Sequence, residues 1–155
     1  MMIAEPMTMI TDYLLALAAV TFAISVWRSH RFTRFSTCLW ITGFSVTAAA
    51  AAVGGTYHGF ALYFSDATHG FLWNTTVALI AVSSILITAA AFSGPLGRRG
   101  RNTPWLISGG LLTAAGVALQ LAGFSVHPSF NHNDLFHCTQ TVALYLLFRG
   151  AQPGA

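Results

Sequence analysis

Two short segments of the sequence hold the side chains best suited to chemistry. His58 lies in GGTYHGF, and three more candidates lie in FNHNDLFHCTQT: His132, Asp134 and His137. Imidazoles and carboxylates bind metal ions and transfer protons near neutral pH. If the second segment opens a helix, Asp134 and His137 share one face with Thr141, at positions i, i+3 and i+7. His132 joins that face only from a non-helical lead-in, because five helical steps rotate a side chain by about 140°.

The composition indicates that these segments belong to a membrane protein. Of 155 residues, 55% are hydrophobic and 7% are charged, the mean hydropathy is +0.65, and there is no lysine. A soluble domain carries about a quarter charged residues, and disordered chains combine low hydrophobicity with high charge. The net charge of +3 comes from arginines in short loops. Membrane lipids are therefore the expected partners, and nucleic acid is not.

Five apolar segments are candidates for membrane-spanning helices, each of which needs about 20 apolar residues. We therefore predict an all-α fold in which residues 1–155 form a single transmembrane domain, a five-transmembrane-helix bundle. Helices satisfy every backbone polar group internally, which lipid requires. The predicted helices cover about residues 8–27, 37–57, 71–92, 105–124 and 133–149.

The arginines predict the orientation, because positive residues accumulate in short cytoplasmic loops. All seven fall at one set of helix ends: Arg28, Arg31, Arg34, Arg98, Arg99, Arg101 and Arg149. The four acids fall at the opposite ends: Glu5, Asp12, Asp66 and Asp134. The prediction is a polytopic integral membrane protein, of the inner membrane if the source is bacterial, with the N-terminus outside and the C-terminus cytoplasmic.

Five of the six histidines fall toward the predicted outer face, which makes that end the candidate site. At about 1.5 Å per helical residue, counted from the inner end of each helix, His137 lies near 18 Å, Asp134 near 22 Å, Asp12 near 24 Å and His58 near 31 Å. Ionisable residues at membrane depth are candidates for function. We predict that Asp12, Asp134 and His137 share a pocket that opens outward, with His58 at its mouth.

The sequence around these residues resembles the CREST superfamily of membrane hydrolases, which includes alkaline ceramidases and the progestin and adiponectin receptors. The resemblance rests on the tyrosine–histidine step that ends at His58, in TYHGF, and on a final helix that opens with NDLFH. Members have seven helices and hold zinc with three histidines, and several cleave lipid amides. The resemblance implies that His58 and His137 would be zinc ligands. Asn133 stands where the superfamily has the first histidine of its final pair, so His132 or Asp134 would supply the third ligand.

The first functional hypothesis is a metal-dependent hydrolase that cleaves a lipid or lipid-like amide or ester at the outer leaflet. Zinc would lower the pKa of its bound water to about 7, and Asp134 or Asp12 would act as general base. The metal ligands would be drawn from His58, His137 and His132.

Two other hypotheses come from different classes of protein. A non-catalytic membrane subunit would pack against partner subunits, or against copies of itself, through the small residues of helix four. Those residues recur along one side of the helix, at Gly109, Gly116 and Gly123. A haem-binding membrane protein would use His58 and His137 as its two axial ligands.

Overall fold

The computed structural model describes residues 2–29, 34–93, 96–127 and 129–152, with the backbone alone described for residue 34 and residues 96–101. Over these residues the all-α prediction is confirmed: there are five α-helices and no strand. The helices are α1 (Pro6–Ser29), α2 (Arg34–Phe60), α3 (Asp66–Phe92), α4 (Leu96–Leu121) and α5 (His132–Ala151). Five of the seven arginines used for the predicted orientation have side chains outside the described part: Arg31, Arg34, Arg98, Arg99 and Arg101.

Side-chain caps fix the starts of α3 and α5. The Ser65 side chain accepts a hydrogen bond from the Thr68 N–H. The Asn131 side chain accepts from the N–H groups of Asn133 and Asp134, and the Asp134 carboxylate accepts in return from the Asn131 N–H at 2.7 Å. This reciprocal arrangement is a capping box, which satisfies donors that a helix start leaves free.

The start of α4 differs from the sequence prediction. The charge-free apolar run predicts a helix from residue 105, but α4 begins at Leu96 and includes Pro104. A proline inside a helix removes one N–H donor, and tertiary contacts compensate here. The buried Asn102 side chain donates to the carbonyls of Gly150 and Gln152, at 2.8 and 3.1 Å. These bonds tie the first turns of α4 to the end of α5.

The most extensive helix contacts join α3 to α2, α2 to α1, α1 to α5, and α5 to α4. Consecutive helices run antiparallel, and α1 runs parallel to α5. We call the end that holds the starts of α1, α3 and α5 the cluster end. The opposite end, which holds Arg28 and Arg149, is the arginine end.

Buried side chains on α1 and α2 form two facing stripes with helical spacing. On α1 the stripe is Leu15, Ala19, Ala23 and Val26. On α2 it is Trp40, Phe44, Ala48 and Ala51. The alanines let the two backbones approach closely, as small residues do between membrane helices.

An aromatic layer crosses the bundle toward the arginine end, made of Phe22, Trp40, Phe44, Tyr145 and Phe148. The ring of Phe22 stacks on Phe148 with centroids 4.7 Å apart, and Phe44 lies edge-on to both rings. Phe44 is fully buried. Such ring pairs contribute about 0.5–1.5 kcal/mol each beyond their buried area. The layer therefore joins α1, α2 and α5 by packing alone.

The small residues of α4 pack inside the chain. A Cβ at Gly109 would meet Leu147, and one at Gly116 would meet Thr139 and Gln140, so both glycines allow close approach of α5. Gly123 lies beyond the end of α4, with φ at +63°. Packing against α5 thus accounts for Gly109 and Gly116, two of the three glycines that suggested a docking face for partner subunits.

Four helical stretches of the described chain are long and apolar enough to cross a membrane: Pro6–Ser29, Phe35–Tyr63, Asp66–Phe92 and Asn102–Leu121. The fifth helix, α5, is less apolar because its first half is polar. Of that polar half, Asp134 and His137 are buried in the protein, and Gln140 donates to the Thr113 carbonyl of α4.

Candidate functional site

The centre of the cluster end is a buried row of hydroxyl, imidazole and carboxylate groups. Nε2 of His137 lies 3.3 Å from Oδ1 of Asp12, and Nδ1 of the same ring lies 3.2 Å from Oγ1 of Thr11. The Thr11 hydroxyl also donates to the Thr8 carbonyl at 3.1 Å. All four residues are buried. The imidazole of α5 is therefore held on both sides by α1.

A second carboxylate–imidazole pair lies beside the first. Oε2 of Glu5 lies 3.2 Å from Nδ1 of His58. Backbone hydrogen bonds hold Glu5 in place, because its N–H donates to the His58 carbonyl and the Ala4 N–H donates to the Gly59 carbonyl. The residues before α1 thus lie along the end of α2 and place the Glu5 carboxylate beside His58.

The two imidazoles are neighbours. The ring centroids of His58 and His137 are 6.5 Å apart, with the planes at 64°. Side-chain exposure falls from 44% at Glu5 through 13% at His58 and 10% at His137 to 5% at Asp12. The two pairs therefore lead from the surface of the cluster end into the interior.

Asp134 completes what we call the acid–imidazole cluster: Glu5, Thr11, Asp12, His58, Asp134 and His137. Its Oδ2 accepts the capping bond from Asn131, and its carboxylate is close enough to Asp12 and His58 for their charges to interact. Among the described residues, no hydrogen-bond donor reaches Oδ1 of Asp134 or Oδ2 of Asp12. Buried polar atoms without a partner are uncommon and call for an explanation.

The structure explains why counting residues overestimated the separation of the two histidines. His58 was counted from Thr37 and His137 from Arg149. Phe44 and Phe148, however, lie at one level in the aromatic layer. Thr37, the origin for His58, lies seven helical steps, roughly 10 Å, below that level. Arg149, the origin for His137, lies only one step from Phe148. The two origins therefore lie at different depths, which accounts for most of the apparent mismatch of roughly 13 Å.

The cluster contains four of the five predicted site residues. Asp12, Asp134, His58 and His137 come together as the sequence analysis expected. His132 lies in the first turn of α5. The helix already includes it, so the non-helical lead-in that would have turned it toward His137 is not formed in the described chain.

Glu5 and Thr11 belong to the site but are not among the residues predicted from the sequence. Glu5 was treated only as an acid at the outer end. It precedes Asp12 by seven positions, a spacing that puts two residues on one face of a helix. Thr11 adjoins Asp12, and its contact with the His137 ring depends on the packing of α1 against α5.

The donor arrangement bears on the zinc prediction. Within the residues that the structure describes, no group of three or more His, Cys, Asp or Glu side chains is arranged to hold a metal ion. Both ring nitrogens of His137 already face protein oxygen atoms. The side chains as placed do not fit a zinc site formed by His58, His137 and His132, and the zinc prediction has no support from this geometry.

The fold and the cluster together define an all-helical protein with four helices able to cross a membrane and a buried set of carboxylates and imidazoles at one end. The chain belongs to the DUF6962 family, a family of unknown function, which it matches over residues 7–103 and 96–155. That match does not link it to the CREST superfamily. No curated protein and no solved structure shows detectable similarity to the chain.

Proposed function

We propose that this protein is a five-helix integral membrane protein whose cluster end faces outward and whose arginine end faces the cytoplasm. By its 20 residues, α5 is about 30 Å long, which matches the hydrocarbon thickness. Its polar half faces the protein rather than lipid, because His137 contacts α1 and Gln140 contacts α4. Arg28 and Arg149 at one end support the orientation, since positive residues favour the cytoplasmic side.

The acid–imidazole cluster serves as an acid–base site reached from the outer side. Exposure decreases from Glu5 to Asp12, and the buried Leu15 and the aromatic layer lie beyond Asp12. Proton pathways across membranes use chains of ionisable residues, whereas no ionisable side chain of the described residues is buried below this cluster. This one-sided arrangement favours a reaction at the outer leaflet over transport.

The reaction that the cluster supports best is hydrolysis of a lipid-like amide or ester by two imidazoles. His58, the more exposed ring, accepts a proton from water while the water oxygen attacks the carbonyl carbon. The Asp12–His137 pair, which holds one shared proton, donates that proton to the leaving nitrogen or oxygen as its bond to that carbon breaks. The products are a carboxylic acid and an amine or alcohol. Proton exchange with water at the cluster end then restores both rings.

The observation that carries this proposal is the adjacency of two carboxylate–imidazole pairs. In such a pair the carboxylate orients the ring and stabilises the imidazolium. Glu5 does this for His58, and Asp12 does it for His137. Proton transfer by a positioned side chain accelerates a reaction by about 10²–10⁴-fold. Burial in a low-dielectric environment strengthens each of these interactions.

The test is hydrolysis of lipid amides and lipid esters by the purified full chain in vesicles. We expect His58→Gln and His137→Gln each to lower the rate by about 10²-fold or more. The matched control is His127→Gln, because His127 is exposed in the connection between α4 and α5. An inactive wild-type chain on both lipid classes, or an equal loss in the control, would contradict the proposal.

Metal analysis separates the two-imidazole reaction from the metal-dependent hydrolase. The two-imidazole reaction predicts that the chain remains active after treatment with a chelator and dialysis. Stoichiometric zinc in the wild type that is lost in His137→Gln would instead establish the metal-dependent reaction. An absorption spectrum of the same sample tests the haem hypothesis, since bound haem gives a Soret band.

A further inference from the structure

Gly54 of α2 lies directly against the carboxylate of Asp12. A Cβ at Gly54 would lie 3.2 Å from Oδ2, 3.4 Å from Oδ1 and 3.5 Å from Cγ of that side chain. All three contacts are with the carboxyl group itself. The other side of the same carboxylate faces the partner ring, because Oδ1 lies 3.3 Å from Nε2 of His137. The space left by the missing side chain at position 54 is thus occupied by the carboxylate.

We infer that Gly54 is a positioning residue that sets where the Asp12 carboxylate lies relative to the His137 ring. Oδ2 of Asp12 is buried and has no hydrogen-bond donor among the described residues. No hydrogen bond therefore holds that oxygen, and its contact with the α2 backbone limits its position. A Cβ at 3.2 Å would displace the carboxylate by a few tenths of an ångström. The effect on hydrolysis rests on the proposed function, whereas the effect on the His137 ring does not.

The neighbouring glycine has a different role. A Cβ at Gly55 would lie 3.1 Å from Cβ of Asp12 and 3.0 Å from the ring of Tyr13. Gly55 therefore governs how closely α1 and α2 approach, while Gly54 contacts the reactive group. Gly54 also precedes His58 by one helical turn, so both lie on the face of α2 that is turned toward the cluster.

The experiment compares Gly54→Ala with two matched glycine variants, using imidazole NMR spectra of protein labelled with ¹⁵N-histidine. Gly43→Ala also inserts a methyl into a tight contact on α2, 2.8 Å from Cγ1 of Ile87 and away from the cluster. Gly110→Ala inserts one where nothing lies within 4 Å. The His137 signals are assigned by their loss in His137→Gln. We expect Gly54→Ala to shift these signals and both controls to leave them unchanged.

A double variant shows whether the effect passes through the carboxylate. In an Asp12→Ala background, Gly54→Ala should produce no further shift of the His137 signals, because the displaced group is gone. If Gly54→Ala alone does not fold, the same double variant should restore folding, and failure to restore it would overturn the inference. Unchanged His137 signals in a folded Gly54→Ala protein would also overturn it.

Hydrolysis is a separate readout of the same variants. A displacement of 1 Å costs about 10²-fold in rate, so a shift of a few tenths should lower the turnover rate roughly threefold to tenfold in Gly54→Ala. If the wild-type chain hydrolyses no lipid while Gly54→Ala still shifts the His137 signals, the proposed function fails and the positioning role stands. If hydrolysis occurs and neither readout responds to Gly54→Ala, the positioning role fails alone.

Discussion

The cluster end and the arginine end join the same helices by different interactions. At the cluster end, α1, α2 and α5 meet through contacts between single polar atoms, such as Asp12 with His137 at 3.3 Å. Toward the arginine end, the same three helices meet through stacked and edge-on rings, with Phe22 and Phe148 centroids 4.7 Å apart. The buried rings of Trp40 and Phe44 are not ionisable, whereas Asp12, Asp134 and His137 are both buried and ionisable.

The difference identifies which region is maintained for a purpose other than stability. Aromatic packing stabilises a bundle without exact polar geometry. A buried polar atom that lacks a hydrogen bond costs about 1–3 kcal/mol, and the described cluster contains four such atoms, on Glu5, Asp12, His58 and Asp134. Apolar side chains could join the same helices without that cost. The cluster is therefore the region where we expect substitutions to alter function more than folding.

Asp12→Asn should separate the effect on hydrolysis from the effect on folding most clearly. Asparagine keeps the shape of the side chain but cannot stabilise an imidazolium with a full charge, so we expect hydrolysis to fall by about 10²-fold or more. The free energy of unfolding, measured by detergent titration in mixed micelles, should change much less than in Phe44→Ala. The control is Asp66→Asn, at an exposed position in the first turn of α3. Equal losses of activity in the two variants would remove the distinction between the regions.

Phe44→Ala should produce the opposite result. Phe44 is fully buried and contacts three other rings, and truncating a buried phenylalanine lowers the free energy of unfolding by about 3–5 kcal/mol. Hydrolysis per folded molecule should stay within about twofold of the wild type, a difference worth well under 1 kcal/mol. The exposed Phe71 provides the control, as Phe71→Ala. A loss of activity in the folded fraction of Phe44→Ala would mean that the aromatic layer takes part in the site.

Asn131→Ala should have the smallest effect and refine the comparison within the cluster end. Loss of a helix cap costs about 0.5–2 kcal/mol, and Ser65→Ala removes an equivalent cap from α3. Both variants should therefore lose similar stability. Only Asn131→Ala should also lower hydrolysis, because Asn131 caps the first turn that carries Asp134. Hydrogen exchange of the backbone amides in the first turns of α3 and α5 would measure how much each helix start opens when its cap is removed. Equal activity in the two variants would show that the capping box at the start of α5 does not affect hydrolysis.

The sequence predicted the kinds of residues in the site better than their contacts. Asp12, Asp134 and His137 were assigned to one pocket because each lay at membrane depth by counting along its helix. Counting could not compare depths between helices, because its origins lie at different depths in the bundle, and His58 was therefore placed too far away. Glu5 was missed because its place beside His58 depends on backbone hydrogen bonds between the start of the chain and the end of α2.

The helix boundaries also depend partly on local sequence features and partly on contacts between helices. Apolar runs and helix caps are local features, so the segments that become helices are evident from the sequence. The start of α4 was predicted nine residues late, at 105 rather than 96, because the nine residues before 105 include three arginines and no apolar run. Asn102 holds that segment against the end of α5, and such a long-range contact has no signature in a single sequence.

The sequence by itself determined that the chain is all-helical and apolar, and that its acids and most of its histidines lie at one set of helix ends. Those properties depend on composition and on spacing along one helix. The tertiary structure decided that α1 packs between α2 and α5, so that one carboxylate pairs with each imidazole. Among the described residues it shows no group of three ligands arranged to hold a metal ion, which leaves the zinc prediction without support. Pairing between helices depends on their relative rotation and depth, which packing sets and the order of residues along a single helix does not.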